Sequence, residues 1–392
     1  DKASVEPKIK SREQAMEHVQ APLGVNGPHF DKLSENDRRL KPGTMRMRMN
    51  EVFFEAMNAR PECVYLGEDV RHGGYYLVTE KLYEAFPDRV HDFPPDETML
   101  FGVGMGYAHN GLLPIVEMPY AKYLDCGADM FFESIITNWC TNGKQPNGML
   151  IRLQGFDKGV FGGNYHTHNT LYLPPGLDVV CYSNGSDYVR GMRYALMQAD
   201  AGRVVMSVDS TDLLNRRDLF VEEKDGLWMR PFPDPVETSP LTFDHVMLYP
   251  DADNPSSCEE HFEKTTNDSS SSHSHLDALV ISYGNGVPTA LKAMVKMKRS
   301  HRIGIIDCPN LSSLPNGLKG VLKKHKSVPI VFADVCKEGA SPLTSLIGKL
   351  NTNKLLSPKW RIVSASPTYN PLGCTATFLH ADDIISAVED LL

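Results

Sequence analysis

From residue 63 to residue 208, short apolar runs recur with amphipathic stretches between them. The runs near 63–66, 89–93, 113–118, 149–153, 178–182 and 204–208 have the length of strands. The intervening stretches place apolar residues at helical spacing. Met49, Val52, Phe53, Ala56 and Met57 form one such face, which Pro61 terminates. Ser186 is placed to cap another helix, with Tyr188, Met192, Ala195 and Leu196 on one side. Strands that alternate with helices predict a largely parallel sheet covered on both faces, because a parallel return needs a helix-length crossover.

The same rhythm restarts at Leu276-Asp277-Ala278-Leu279-Val280-Ile281-Ser282-Tyr283. Strands near 303–306, 329–332 and 360–363 and a last helix at 382–391 complete a smaller α/β unit. Between the two units, Pro231, Pro233, Pro235, Pro240 and Pro250 interrupt any regular element, and the run 267–275 is too rich in Ser and His to bury itself. The N-terminal residues are polar and broken by Pro22, Gly24, Gly27, Pro28 and Pro42. The division read from sequence is an extended arm over 1–47, a first α/β domain over 48–215, an interdomain linker with a Ser-rich insertion over 216–275, and a second α/β domain over 276–392.

Charge and cysteine usage exclude several classes. A formal charge of -9 argues against a general nucleic-acid or anionic-membrane surface, because both require clustered Lys and Arg. No uninterrupted apolar run is long enough for a bilayer span. The eight cysteines are scattered without a C-x-x-C pair, which favours a reducing compartment and no structural zinc. Nothing at the start resembles a secretory h-region, so any targeting segment is expected to be absent or already removed.

Three stretches offer chemistry. The first, His91-Asp92-Phe93-Pro94-Pro95-Asp96-Glu97 followed by Gly102, Gly104 and Gly106, reads as a phosphate loop, an acid/base site or a helix start. Its G-x-G-x-G spacing is not that of a dinucleotide fingerprint, and no G-x-x-x-x-G-K-[ST] occurs. From the residues alone, an acid that starts a helix and glycines that permit close packing are the favoured reading. The second, Glu117-Met118-Pro119-Tyr120-Ala121-Lys122-Tyr123-Leu124, puts an acid and two tyrosines at a strand end, where open α/β sheets place ligands. The third, 159–169, is glycine-rich and ends in His166 and His168, whose spacing suits either loop residues or a metal pair.

Together with Leu66-Gly67-Glu68-Asp69-Val70, Gly73-Gly74, Pro175-Gly176-Leu177-Asp178, Tyr283-Gly284-Asn285-Gly286-Val287 and Tyr369-Asn370-Pro371-Leu372-Gly373, these stretches resemble one family. It is the beta subunit, or the beta half of a fused chain, of the thiamine-diphosphate-dependent 2-oxo acid dehydrogenases, the decarboxylating components of the pyruvate and branched-chain complexes. The resemblance implies a transketolase-like pyrimidine-binding domain followed by a transketolase C-terminal-like domain. It also implies oxidative decarboxylation of a 2-oxo acid with acyl transfer to a lipoyl carrier.

By that resemblance Glu97 is the carboxylate that hydrogen-bonds the aminopyrimidine and promotes its imino form. Tyr123 stacks on the ring and Tyr120 forms nearby wall. His166 handles substrate and lipoyl protons, whereas His168 reads as a loop residue and Asp96 as a helix-start or interface acid. The family's magnesium motif, G-D-G followed by Asn, is missing. The thiamine diphosphate is therefore expected to be shared with an alpha partner that supplies the Mg2+ site. A second beta subunit and a lipoyl acyltransferase core are the other implied partners. Arg203, where the family has a proline, lies near its monovalent-cation loop, and Gly339-Ala340 replaces a usual Gly-Gly near a partner contact.

Two alternatives compete with this reading. One is a catalytically inactive homologue that serves as a structural subunit of a large mitochondrial assembly, a role the long arm and Ser-rich insertion would suit. The other is transketolase-like ketol transfer. The 2-oxo acid is not specified by these residues, and the family works in both the bacterial cytoplasm and the mitochondrial matrix. The Ser/His insertion favours the matrix.

Overall fold

A computed structural model describes residues 8–156, 171, 173–262, 275–369 and 374–392. Strands β1 (Cys63–Gly67), β2 (Val90–Asp92), β3 (Leu113–Met118), β4 (Met149–Gly155), β5 (Leu177–Val180) and β6 (Val204–Ser210) form one sheet in the order β2-β1-β3-β4-β6-β5. Every pairing is parallel, as the strand–helix alternation predicts. Four longer helices cover it: α1 (Met45–Ala59), α2 (Glu97–His109), α3 (Ala128–Cys140) and α4 (Gly185–Asp200).

The face predicted for α1 is the one it buries, with Met49, Val52, Phe53, Ala56 and Met57 each at most 3% exposed. The cap of α4 lies two residues earlier than predicted. Asn184, not Ser186, is extended and accepts a hydrogen bond from the Asp187 amide at 3.0 Å, and Ser186 sits inside the first turn. Helices α1 and α4 pack together across Phe53 and Tyr188, and Arg193 grips Glu55 in two hydrogen bonds of 2.7 and 2.9 Å.

The second sheet runs β12 (Trp360–Ala365), β11 (Ile330–Lys337), β9 (Ala278–Ser282), β10 (Ile303–Asp307), β7 (Val246–Tyr249) and β8 (Glu259–His261). Its first four strands are parallel, and β7 and β8 add an antiparallel hairpin at one side. Both hairpin strands fall in the stretch 216–275 read as a linker. Four of the prolines that suggested a connector precede Val246–Tyr249 and Pro250 directly follows it, bounding a four-residue strand too brief for periodicity to reveal. The run 263–274 lies outside the described residues.

Strand β5 would leave an open edge on the first sheet, and the second domain covers it. Cys181 donates its amide to Pro309, Leu311 donates to Val179, and Val180 bridges Asn310. The side-chain amide of Asn285 adds a bond to the carbonyl of Phe156 at 2.8 Å.

The N-terminal segment is docked along the first domain. Asn138 and Trp139 donate to the carbonyls of His18 and Ala15, and the Gln198 amide bonds both the N–H and the C=O of Gly24 at 2.9 Å. Arg203 is the central anchor. Its guanidinium reaches Asp178 at 2.7 Å, the carbonyl of Ala21 at 2.6 Å and Gln20 at 2.8 Å, while only 8% exposed. The residue that departs from the resemblance thus has a structural task in this chain.

Removing one partner of a buried ion pair costs about 3–5 kcal/mol, because the other charge stays desolvated. Arg203→Ala is therefore expected to lower stability by about that amount and to expose the arm to trypsin. Unchanged denaturation together with an unchanged proteolysis pattern would contradict the anchoring role.

Candidate active site

Three parallel neighbours, β2, β1 and β3, end side by side, and the segments that leave them build the site. After β2 comes α2. Asp96 is its N-cap and accepts from the Met99 amide at 2.9 Å, so Glu97 becomes the first helical residue, partly buried. Of the two acids, Asp96 is therefore the one that caps the helix, and Glu97 follows it in the first turn. After β3 comes a 3-10 turn, Ala121–Asp125, that carries Tyr123.

The two segments are locked together at Gly127. A Cβ there would lie 2.9 Å from the backbone carbon and oxygen of Glu97, so only glycine permits the approach. Thr98 adds a hydroxyl bond to the carbonyl of Cys126 at 3.3 Å.

After β1 comes Glu68, then Asp69 in the left-handed region at φ 56°, which turns the chain toward Gly73 and Gly74. Glu68 is 7% exposed. The Tyr75 hydroxyl donates to its Oε2 at 3.2 Å, and Oε1 has no hydrogen-bond partner among the described residues. Burial pushes the Glu68 carboxyl above its ordinary range. The Tyr75 bond opposes that rise, and the charges of Glu97 and Asp69 reinforce it. Tyr75 also packs against Tyr120 at 5.3 Å between ring centroids, the rings tilted by 53°, and Tyr120 meets Tyr123 edge-on at 5.5 Å. The structure thus brings Glu97, Tyr120 and Tyr123 to one place and adds Glu68 and Tyr75. His166 and His168 lie outside the described residues.

Beneath this cluster, charge is buried in the sheet itself. Glu117 on β3 accepts from the Tyr65 hydroxyl at 2.5 Å, from Arg152 at 2.5 Å and from Gln154 at 2.8 Å. Arg152 on β4 turns its other nitrogens to Asp209 on β6, and its carbon lies 5.1 Å from the ring centroid of Phe53. Burial opposes the Arg152 charge, but Asp209, Tyr65 and Glu117 outweigh it and hold the group well above its usual range. Gly74 rests on this network. A Cβ there would meet the Glu117 carboxylate at 3.1 Å, and its φ of 67° already favours glycine.

Sequence reasoning gave Glu68 and Tyr75 no role, although Glu68 lies within one quoted motif and Tyr75 directly follows another. An acid just past a strand end was the available signal for Glu68, whereas Tyr75 is set by a left-handed turn with no periodic mark. Among the described residues, no group of three or more His, Cys, Asp or Glu is placed to hold a metal ion.

A parallel sheet with carboxyls and aromatics gathered at adjacent strand ends defines a class. Residues 41–213 match the transketolase, pyrimidine binding domain family. Among curated relatives, the 2-oxoisovalerate dehydrogenase subunit beta of Bacillus subtilis is 30% identical over 158 residues, 39% of this chain and 48% of the relative. The mitochondrial pyruvate dehydrogenase E1 component subunit beta-1 of Arabidopsis thaliana is 39% identical over 163 residues, 40% of this chain and 45% of the relative. A 3-methyl-2-oxobutanoate dehydrogenase subunit beta of Mycobacterium tuberculosis is 24% identical over 283 residues, 69% of this chain and 68% of the relative.

The chain spans about half the length of the first two relatives it matches. The resemblance to beta subunits of 2-oxo acid dehydrogenases is borne out by these matches. A solved structure described as a split gene transketolase, inactive beta4 tetramer, superposes at a TM-score of 0.58 with 14% identity, covering 90% of this chain and 99% of that one. The fold is thus transketolase-like, with two mostly parallel α/β sheets.

The raised Glu68 carboxyl gives a pH prediction. The folded chain favours protonated Glu68, so that contribution to stability is complete below the ordinary value of 4.5 and is lost as pH rises through the folded value. Glu68→Gln should therefore leave stability unchanged in acid and raise it progressively at higher pH. Denaturation curves across that range check it, and a pH-independent difference would contradict the assignment.

Proposed function

We propose that this chain is the beta subunit of a thiamine-diphosphate-dependent 2-oxo acid dehydrogenase, active with an alpha partner. The observation that carries this reading is Glu97, placed by the Asp96 cap at the start of α2 next to the Tyr75–Tyr120–Tyr123 wall and the buried Glu68. These residues suit an aminopyrimidine, a flat ring that needs an aromatic face and a carboxyl at its edge. Oε1 of Glu68, which has no partner among the described residues, leaves further hydrogen-bonding capacity in the same place.

Bound there, thiamine diphosphate would supply the nucleophilic carbon that decarboxylates a 2-oxo acid. The chain's own residues orient and move protons. Glu97 would exchange a proton through its carboxyl from the first turn of α2. Tyr123 and Tyr120 would hold the ring face and exclude water. His166 would handle protons on the substrate and the lipoyl group.

The diphosphate and its Mg2+ fall to the alpha partner, since no Gly-Asp-Gly occurs in the sequence. A second beta subunit and a lipoyl acyltransferase core complete the proposed assembly. Relatives include mitochondrial and bacterial proteins, and the Ser/His insertion supports the mitochondrial matrix. Among the described residues, no helix is long and apolar enough to cross a membrane.

Glu97→Gln keeps the shape and removes the acid. In the complex with the alpha partner it should retain cofactor binding while decarboxylation falls by about two to four powers of ten. Wild-type turnover would refute the role. His166→Ala in the same complex is expected to reduce lipoyl acylation far more than decarboxylation with an artificial electron acceptor, and His168→Ala to affect both mildly. Equal behaviour of the two histidine variants, or no decarboxylation by the wild-type complex, would favour the structural-subunit reading.

A further inference from the structure

A groove of about 760 Å3 opens where the end of the N-terminal arm meets the start of α1 and residues 80–81. Its charge runs against that of the chain, which is -9 overall. Three of its cations are already matched: Arg39 with Asp37, Arg48 with Glu51, and Arg46 with Glu80. Arg38, Lys41 and Lys81 are exposed and form no ion pair or side-chain hydrogen bond among the described residues.

Helix α1 deepens the imbalance. Its fifteen residues start at Met45 with no acid in the first turn, where Arg46 and Arg48 stand instead. The cap residue Thr44 makes no side-chain capping bond. The Arg46 amide is already taken by the Leu214 carbonyl at 2.9 Å, so this end of α1 contributes to the groove through its side chains. An exposed Met47, 43% accessible, lies on the same wall.

We propose that this groove docks an acidic polypeptide segment of a partner protein. The three unmatched cations come from two separate stretches, residues 38–41 and residue 81, and among the described residues the groove lining includes no glycine that would let backbone amides converge on a compact phosphate. Carboxylates spaced along an extended chain can meet dispersed lysine and arginine, and an apolar side chain among them can cover Met47. The inference stands apart from the reading of Glu97 and survives if that reading fails.

The test is fluorescence anisotropy of a labelled oligoglutamate peptide with the full chain at low ionic strength, where screening is least. The expected result is saturable binding that weakens as salt rises. Reversal by Arg38→Glu, Lys41→Glu and Lys81→Glu together should reduce affinity by roughly tenfold or more. The charge-conserving pair Lys41→Arg and Lys81→Arg should retain it, which separates lost charge from misfolding. Lys323→Glu with Lys324→Glu, at an exposed basic run elsewhere, should leave it unchanged. No binding, an equal loss from the distant reversal, or full displacement by equimolar inorganic pyrophosphate would overturn the proposal, the last by revealing a small-anion site.

Discussion

The buried Arg152 guanidinium holds three strands of the first sheet to one geometry. It spans from Glu117 on β3 to Asp209 on β6 while being fully enclosed, and Tyr65 on β1 closes the same network. A charge in that position would be strongly unfavourable alone, so the two carboxylates must keep their places for the sheet to form as it does. Gly74 packs on the Glu117 carboxylate, and the turn it belongs to carries Tyr75 above. The position of the aromatic wall thus depends on an ion network one layer below it.

That foundation supports two acids in unlike surroundings beside one aromatic face. Glu68 is enclosed, has one carboxylate oxygen without a partner among the described residues, and is raised above its ordinary range by burial. Glu97 sits in the first turn of α2, partly exposed. The contact at Gly127 fixes Glu97 relative to the Tyr123 turn, so neither can move without the other.

The parallel core was legible because periodicity reports burial: the apolar runs of β1, β3, β4 and β6 and the face of α1 appear where their spacing places them. The β7–β8 hairpin was not, since strands of four and three residues leave no period to read. The arm was recognisable as non-globular, yet its attachment through Arg203 and Gln198 depends on contacts far apart in sequence. At the candidate site, motif resemblance singled out Glu97, Tyr123 and Tyr120. Tyr75 and the Arg152 network escaped because a left-handed turn and a cross-sheet ion pair have no local signature. His166, which the resemblance also singled out, lies outside the described residues.

On the proposed reading, this chain contributes the pyrimidine half of a cofactor site whose diphosphate half belongs to a partner. Titration calorimetry of thiamine diphosphate with Mg2+ tests it most directly, first with the chain alone and then with an alpha subunit that contains the Gly-Asp-Gly and Asn ligands. Negligible heat is expected from the chain alone and stoichiometric, magnesium-dependent binding to the complex, weakened when Tyr123→Ala removes the ring face. Tight magnesium-dependent binding to the isolated chain, or binding to the complex that ignores Tyr123, would contradict it.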